Sequence, residues 1–266
     1  MGKTIGIIAI KGGVGKTSCT ANIGAALADK FNKKVLIVDG NFSAPNLAMH
    51  FGLFDYQATI QDALLRKTPV QRTVHKFSEN LHVIPAAVEG RAITDHYRLK
   101  DCLEPLKEFY DVVLIDSSPN LHGEILSTMI ASDELYVVTS PDYPTLSTTI
   151  RAVKLAKQRR TPIKGLIVNK KRYKSFELSL EEIEEATETL VLGVIPDDIK
   201  MLEAVSKTAP VTSHAPRANS SVEINKIAGY MVEEPYQDPR MFHRLKSFLL
   251  KRDVRKDEVN RIISKE

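Results

Sequence analysis

Seven residues near the N-terminus, Lys11-Gly12-Gly13-Val14-Gly15-Lys16-Thr17, combine the types needed to hold a polyphosphate. Three glycines let a backbone fold around an anion and turn its N–H groups inward. A helix that begins at Ser18 adds free N–H groups and the positive end of its dipole. Lys16 is placed to neutralise the outer phosphates and the Thr17 hydroxyl to ligate Mg²⁺. A plain strand-to-helix turn has no need of the Gly-Lys-Thr ending. Downstream, the apolar runs Val35-Leu36-Ile37-Val38-Asp39 and Val112-Val113-Leu114-Ile115-Asp116 each end in a carboxylate. Ligand groups of open parallel sheets gather at the carboxyl ends of the strands, so Asp39 is expected to face the phosphates.

The elements that carry these groups follow from the pattern. Residues 4–10 read as a buried strand with β-branched residues and no polar alternation, and residues 18–29 as the helix behind the glycine turn. Further strands are expected at 35–39, 81–85, 111–116, 134–139, 163–168 and 191–195. Helices are expected at 60–66, 95–109, 145–158, 180–189, 199–206 and 222–232, that at 180–189 being acidic and exposed. Alternation of strands and helices makes this an α/β protein, a mostly parallel sheet with helices on both faces. On the helix at 145–158, Leu146, Ile150, Val153 and Ala156 share one side.

The opening stretch departs from the ordinary P-loop, because Ile10 stands where its first glycine belongs and a lysine, Lys11, follows. With Thr20-Ala21-Asn22 behind it, this deviant form resembles the MinD/ParA family of dimerising ATPases of the P-loop (SIMIBI) type. The resemblance runs over about residues 2–232 and implies ATP and Mg²⁺ as cofactors and a homodimer formed with ATP. It implies that Lys11 reaches the partner's nucleotide, and that Gly12, Gly13, Val14, Gly15, Lys16, Thr17 and Ser18 wrap the phosphates. Asp39, just before a first switch segment (40–47), and Asp116, at the end of a Walker B strand, are implied near the metal with Thr17. Asn169 and the Pro196-Asp197-Asp198 run resemble the adenine-side elements. The family's water-positioning aspartate falls on Asn41, so the resemblance implies a slow ATPase. Two of these positions keep a second reading as turn formers, Asn41 in its loop and Asn169 at a strand end.

A hydrophobic share of 43% and a charged share of 26% are ordinary for a water-soluble globular chain, and 266 residues suffice for one large core. No run of eighteen apolar residues and no secretory leader pattern occurs, so a cytoplasmic protein is expected. Cys19 and Cys102 form no Cys-x-x-Cys pair, which leaves no sequence case for a zinc or iron–sulfur site.

The net charge of +4 is unevenly spread: residues 239–266 hold nine Lys/Arg against four Asp/Glu, so the other 238 residues sum to −1. The chain therefore divides into an ATPase domain (1–233), a linker (234–239) and a basic amphipathic helix (240–266). On a helical wheel Met241, Phe242, Leu245, Phe248 and Leu249 share one face. Such a helix lies in an anionic membrane surface, or packs on the domain or a partner helix. It resembles the membrane-targeting helix of MinD proteins, which implies peripheral membrane association with ATP and a role in spatial positioning, with an activating protein as a further partner. The alternatives are a ParA-like ATPase that binds DNA through patches such as 170–174, and a slow ATP-bound scaffold.

Overall fold

The computed structural model describes residues 2–88, 95, 97–119 and 123–239. Eight strands form one sheet in the order β3-β4-β2-β5-β1-β6-β7-β8. They are β1 (Lys3–Ile8), β2 (Val35–Gly40), β3 (His75–Lys76), β4 (Leu81–Ile84), β5 (Val112–Ser117), β6 (Glu134–Thr139), β7 (Ile163–Lys171) and β8 (Val191–Pro196). Every pairing is parallel except β3 with β4.

The helices are α1 (Lys16–Phe31), α2 (Ile60–Leu64), α3 (Arg98–Leu103), α4 (Glu124–Ala131), α5 (Tyr143–Gln158), α6 (Leu180–Thr187), α7 (Ile199–Ser206), α8 (Val211–His214) and α9 (Asn219–Met231). Side chains of successive strand residues point to opposite faces. Thus Ile5, Ile7, Ile37 and Leu114 pack with α1 and α9 on one face. Ile8, Val137 and Val168 pack under α4, α5 and α6 on the other, where Leu36, Val38 and Ile115 meet α2 and α3. Helices on both faces and a sheet parallel but for one edge strand are as expected.

Two elements differ from expectation for identifiable reasons, the helices at 95–109 and 180–189, while α5 and the cysteines pack as ordinary core. The helix expected at 95–109 stops at Leu103 and continues as a 3₁₀ turn over Glu104–Glu108, because Pro105 brings no N–H for an α-helical bond. On α6, Leu180 and Ile183 are buried, Glu181, Glu182 and Glu185 face outward and Glu184 accepts from Val191 N at 2.8 Å, so the acidic helix is exposed on one side only. The apolar side of α5 is core: Val153 and Ala156 are buried, with Leu146 beside them. Cys19 is wholly buried and Cys102 partly; burial pushes the Cys19 thiol up to about 12.

Residues 234–239 lie on the domain. Tyr236 stacks at a tilt on Phe31 with ring centroids 6.4 Å apart and accepts a hydrogen bond from Asn225 Nδ2 at 3.1 Å. Lys33 pairs with Glu234 and Lys226 with Asp238. The expected tail residues Phe242, Leu245, Phe248 and Leu249 lie outside the described residues.

Candidate functional site: a phosphate cradle at the carboxyl edge of the sheet

Parallel strands put all their carboxyl ends on one edge, and the chemistry-bearing residues collect there. The turn after β1 opens into a cavity of about 380 Å³. Lys11, the glycine turn, Ser18, Asn41, Asn169, Pro196 and Asp197 line it. Gly13 and Gly15 have φ of +79° and +87°, the left-handed region that side chains disfavour. A Cβ on Gly12 or Gly13 would meet nothing within 4 Å, whereas one on Gly15 would lie 2.3 Å from Asn169 Nδ2. The loop thus stands open on the side where an anion would sit and closed against β7 on the other.

Asp39 and Asp116 are register partners on β2 and β5 and are both fully buried. Asp116 is the hub. Lys16 Nζ donates to its Oδ1 at 2.9 Å, the Thr17 hydroxyl to its Oδ2 at 2.6 Å, and the Thr20 hydroxyl to Oδ1 at 3.3 Å. Asp39 accepts from the backbone N–H groups of Asn41 (3.0 Å) and Leu47 (3.1 Å), which shapes the loop after β2. Burial, then the charge of Asp116, pushes its carboxyl up to about 7, against those two N–H groups and Lys16. Two carboxylates and a hydroxyl, hard oxygen donors, are the set that suits Mg²⁺ rather than a softer metal.

The other predicted residues take distinct places. Asn41 is buried and locked in its own loop, its Nδ2 donating to Ala44 O at 2.6 Å and its Oδ1 accepting from Ala44 N at 3.3 Å. Lys11 is half-exposed and donates to Thr145 Oγ1 at 3.0 Å and Asp142 Oδ1 at 3.4 Å, at the start of α5. Bonds from Ser140 and Thr145 hold the Asp142 carboxyl below its usual range despite its partial burial. Asp197 accepts from Arg172 Nε at 2.7 Å, beside Pro196. Among the described residues no cluster of three or more His, Cys, Asp or Glu side chains forms a separate metal centre.

Known proteins resemble the chain over most of its length. A family model described as an AAA domain matches residues 2–163. An uncharacterized ATP-binding protein of Methanocaldococcus jannaschii is 30% identical over 239 residues, 89% of this chain and 90% of the relative. The septum site-determining protein MinD of Synechocystis is 29% identical, over 79% of this chain and 82% of the relative. Among solved structures, MinD of Pyrococcus horikoshii in complex with Mg-ADP superposes with a TM-score of 0.81 at 28% identity. That match covers 87% of this chain and 96% of the other. The chain belongs to the MinD/ParA family of P-loop ATPases.

Within this MinD/ParA ATPase, the residues that sequence reasoning missed are those that act through space. Lys170 was grouped with a basic loop, yet its Nζ donates to Gly13 O at 2.7 Å while Asn169 Nδ2 donates to Val14 O at 2.7 Å. Lys170 holds a φ of +60° to do so. The only signal was its place directly after a strand-end asparagine. Because the Lys170 bond is exposed, its loss is worth about 1 kcal/mol. Lys170→Met is therefore expected to weaken ADP and ATP binding alike by roughly fivefold in a fluorescent-nucleotide titration. Unchanged affinity would mean that the lysine merely covers the loop.

Proposed function

We propose that this protein is an ATP- and Mg²⁺-dependent dimerising switch of the MinD type that associates reversibly with an anionic membrane surface. The observation that carries the nucleotide reading is the cradle: a glycine turn with open space on its anion side, Lys16, and Thr17, Asp39 and Asp116 as hard oxygen donors. Lys16 would neutralise the outer phosphates, and the three oxygen donors would hold Mg²⁺ directly or through water. Bound there, the ion supplies charge stabilisation for phosphoryl transfer to water. Asn169, Pro196 and Asp197 would flank the base.

Two features support a face-to-face dimer. Lys11 lies outside its own subunit's Lys16–Thr17–Asp116 cluster and is half-exposed, held at the surface by Thr145 and Asp142, contacts it would exchange for a second copy's phosphates. Beside the mouth, α7 exposes Ile199 (64%), Leu202 (66%) and Val205 (42%), one apolar ridge at a spacing of three residues. Lys11→Ala is expected to weaken ATP-dependent dimerisation at least tenfold in light scattering while leaving ADP affinity of the monomer within a factor of a few. Loss of all nucleotide binding would refute the cross-subunit role.

The membrane part rests on the tail, where Phe242, Leu245, Phe248 and Leu249 fall on one wheel face among basic residues. Phe248→Glu places a charge on that face and is expected to release the ATP-bound protein from anionic vesicles with dimerisation intact. Vesicle binding equal to the unaltered protein's would reject this reading.

A further inference from the structure

Between Asp142 and Glu177 the chain carries no acidic residue and ten Lys/Arg. Four of the ten belong to the end of β7 and the loop that follows, where Lys170 holds the P-loop, Lys171 lies near Glu177 and Arg172 pairs with Asp197. The other six, Arg151, Lys154, Lys157, Arg159, Arg160 and Lys164, are all exposed. Among the described residues only Lys157 of these six is in an ion pair, with Glu188 at 2.8 Å, an exposed contact of little worth.

The fold gathers these cations at the end opposite the cradle. The helix α5 starts at the nucleotide edge and runs about 24 Å toward the edge where the parallel strands begin. Arg151, Lys154 and Lys157 step along its outer side, and Arg159 and Arg160 follow it. Lys164 stands at the start of β7, near the starts of β1 and β6. It lines two adjoining hollows, one of about 460 Å³ with Lys157 and Arg160, and one of about 500 Å³ with Tyr230 and Tyr236. The second is bounded by residues 233–236, the segment that leads to the basic tail. On its far side the second hollow is acidic, with Glu134 paired to Lys3 and Glu234 to Lys33 and with Glu233 beside them, and farther along the edge Lys107 pairs with Asp133, so the uncompensated cations are those on the α5 side.

We propose that this basal cationic corner is a second membrane-contact surface, which binds anionic lipid headgroups beside the root of the tail and turns the nucleotide mouth away from the bilayer. Duplex DNA is also a polyanion. Continuity with the root of an amphipathic tail, whose apolar face calls for lipid, favours the membrane. Each surface cation near an anionic leaflet is worth about a fivefold gain in partition. The proposal rests on the membrane reading above, and the test separates the two.

The full-length protein with Mg-ATP is sedimented with phosphatidylglycerol–phosphatidylcholine vesicles and with pure phosphatidylcholine vesicles. It is compared with the charge-reversed set Arg159→Glu, Arg160→Glu, Lys164→Glu, with the neutral set Arg159→Gln, Arg160→Asn, Lys164→Gln, and with Phe248→Glu. Nucleotide titration confirms folding, since none of the three basic residues lies near the cradle. Expected is a loss of anionic-vesicle binding of at least tenfold for the reversed set and a smaller one for the neutral set. The difference should shrink in high salt and vanish on phosphatidylcholine. Reversed and neutral sets that bind as the parent does, while Phe248→Glu does not, would overturn the corner and leave the tail reading standing. No vesicle binding by the parent would overturn both. Loss of duplex-DNA binding with vesicle binding unchanged would make the corner a nucleic-acid surface and overturn the proposal.

Discussion

Lys16→Ala is expected to abolish the ATP-dependent dimer. The ammonium is nearly buried against the buried Asp116 carboxylate, so it serves as both the phosphate ligand and the counter-charge of the site. A hydrogen bond to a charged partner is worth about 1.5–3 kcal/mol, or roughly ten- to a hundredfold in affinity per site. Two nucleotides join two subunits in the proposed dimer, so assembly loses the square of that factor, about 10²–10⁴. Removing one partner of a buried pair also costs about 3–5 kcal/mol of stability. That second cost depends on pH. Asp39 already binds its proton more tightly in the folded chain than an unfolded carboxylate does, so its contribution is favourable in acid and is lost as pH rises from about 4 to about 7. Loss of Lys16 withdraws a cation that opposes this shift, so the folded variant keeps that proton to higher pH and should fall further behind the parent as pH rises above about 7. Light scattering with ADP and ATP, and thermal melts at pH 5 and pH 8, measure the two effects. A variant that still doubles its mass with ATP would sink the switch.

Asn41→Asp is expected to speed single-turnover ATP hydrolysis by roughly tenfold or more. A neutral amide can orient a water but takes no proton near neutral pH. General-base help is worth about 10²–10⁴-fold where it operates, and phosphoryl transfer draws mostly on positioning and charge, so the gain lies at the low end. The structure adds a cost. Nδ2 donates to Ala44 O, and a carboxylate loses that bond, while the bonds from the Ala44 and Asn41 N–H groups persist. Loosening the loop by about 1 kcal/mol frees the new side chain to turn toward the phosphates. Single-turnover rates isolate chemistry from dimer dissociation. Equal rates would leave Asn41 as a turn former whose amide shapes the loop after β2.

The cradle was legible because its parts are local. An apolar strand, a glycine turn and Lys16-Thr17 occupy consecutive positions, and the carboxylates of Asp39 and Asp116 close apolar runs. What escaped was of two kinds. Short elements such as α8 and the two-residue β3 lack the length over which periodicity can speak, and α4, as long as α6 and α7, begins at Gly123-Glu124 in a stretch whose Ser and Thr blur the apolar spacing. Through-space partners such as Lys170 with Gly13, or Lys11 with Asp142, stand more than 130 residues apart, and no local pattern relates them.

The segment 234–239 has a consequence for reach. A free six-residue linker would let the tail's root wander over roughly 13 Å. Pinned by Tyr236, Glu234 and Asp238, the root is instead set by the body of the domain. In a dimer two such roots would keep a constant separation, so the local concentration that one inserted tail offers the other is written into the rigid core. Cutting Tyr236 loose by substitution with Ser would then alter the avidity of the pair while leaving the affinity of a single tail as it was.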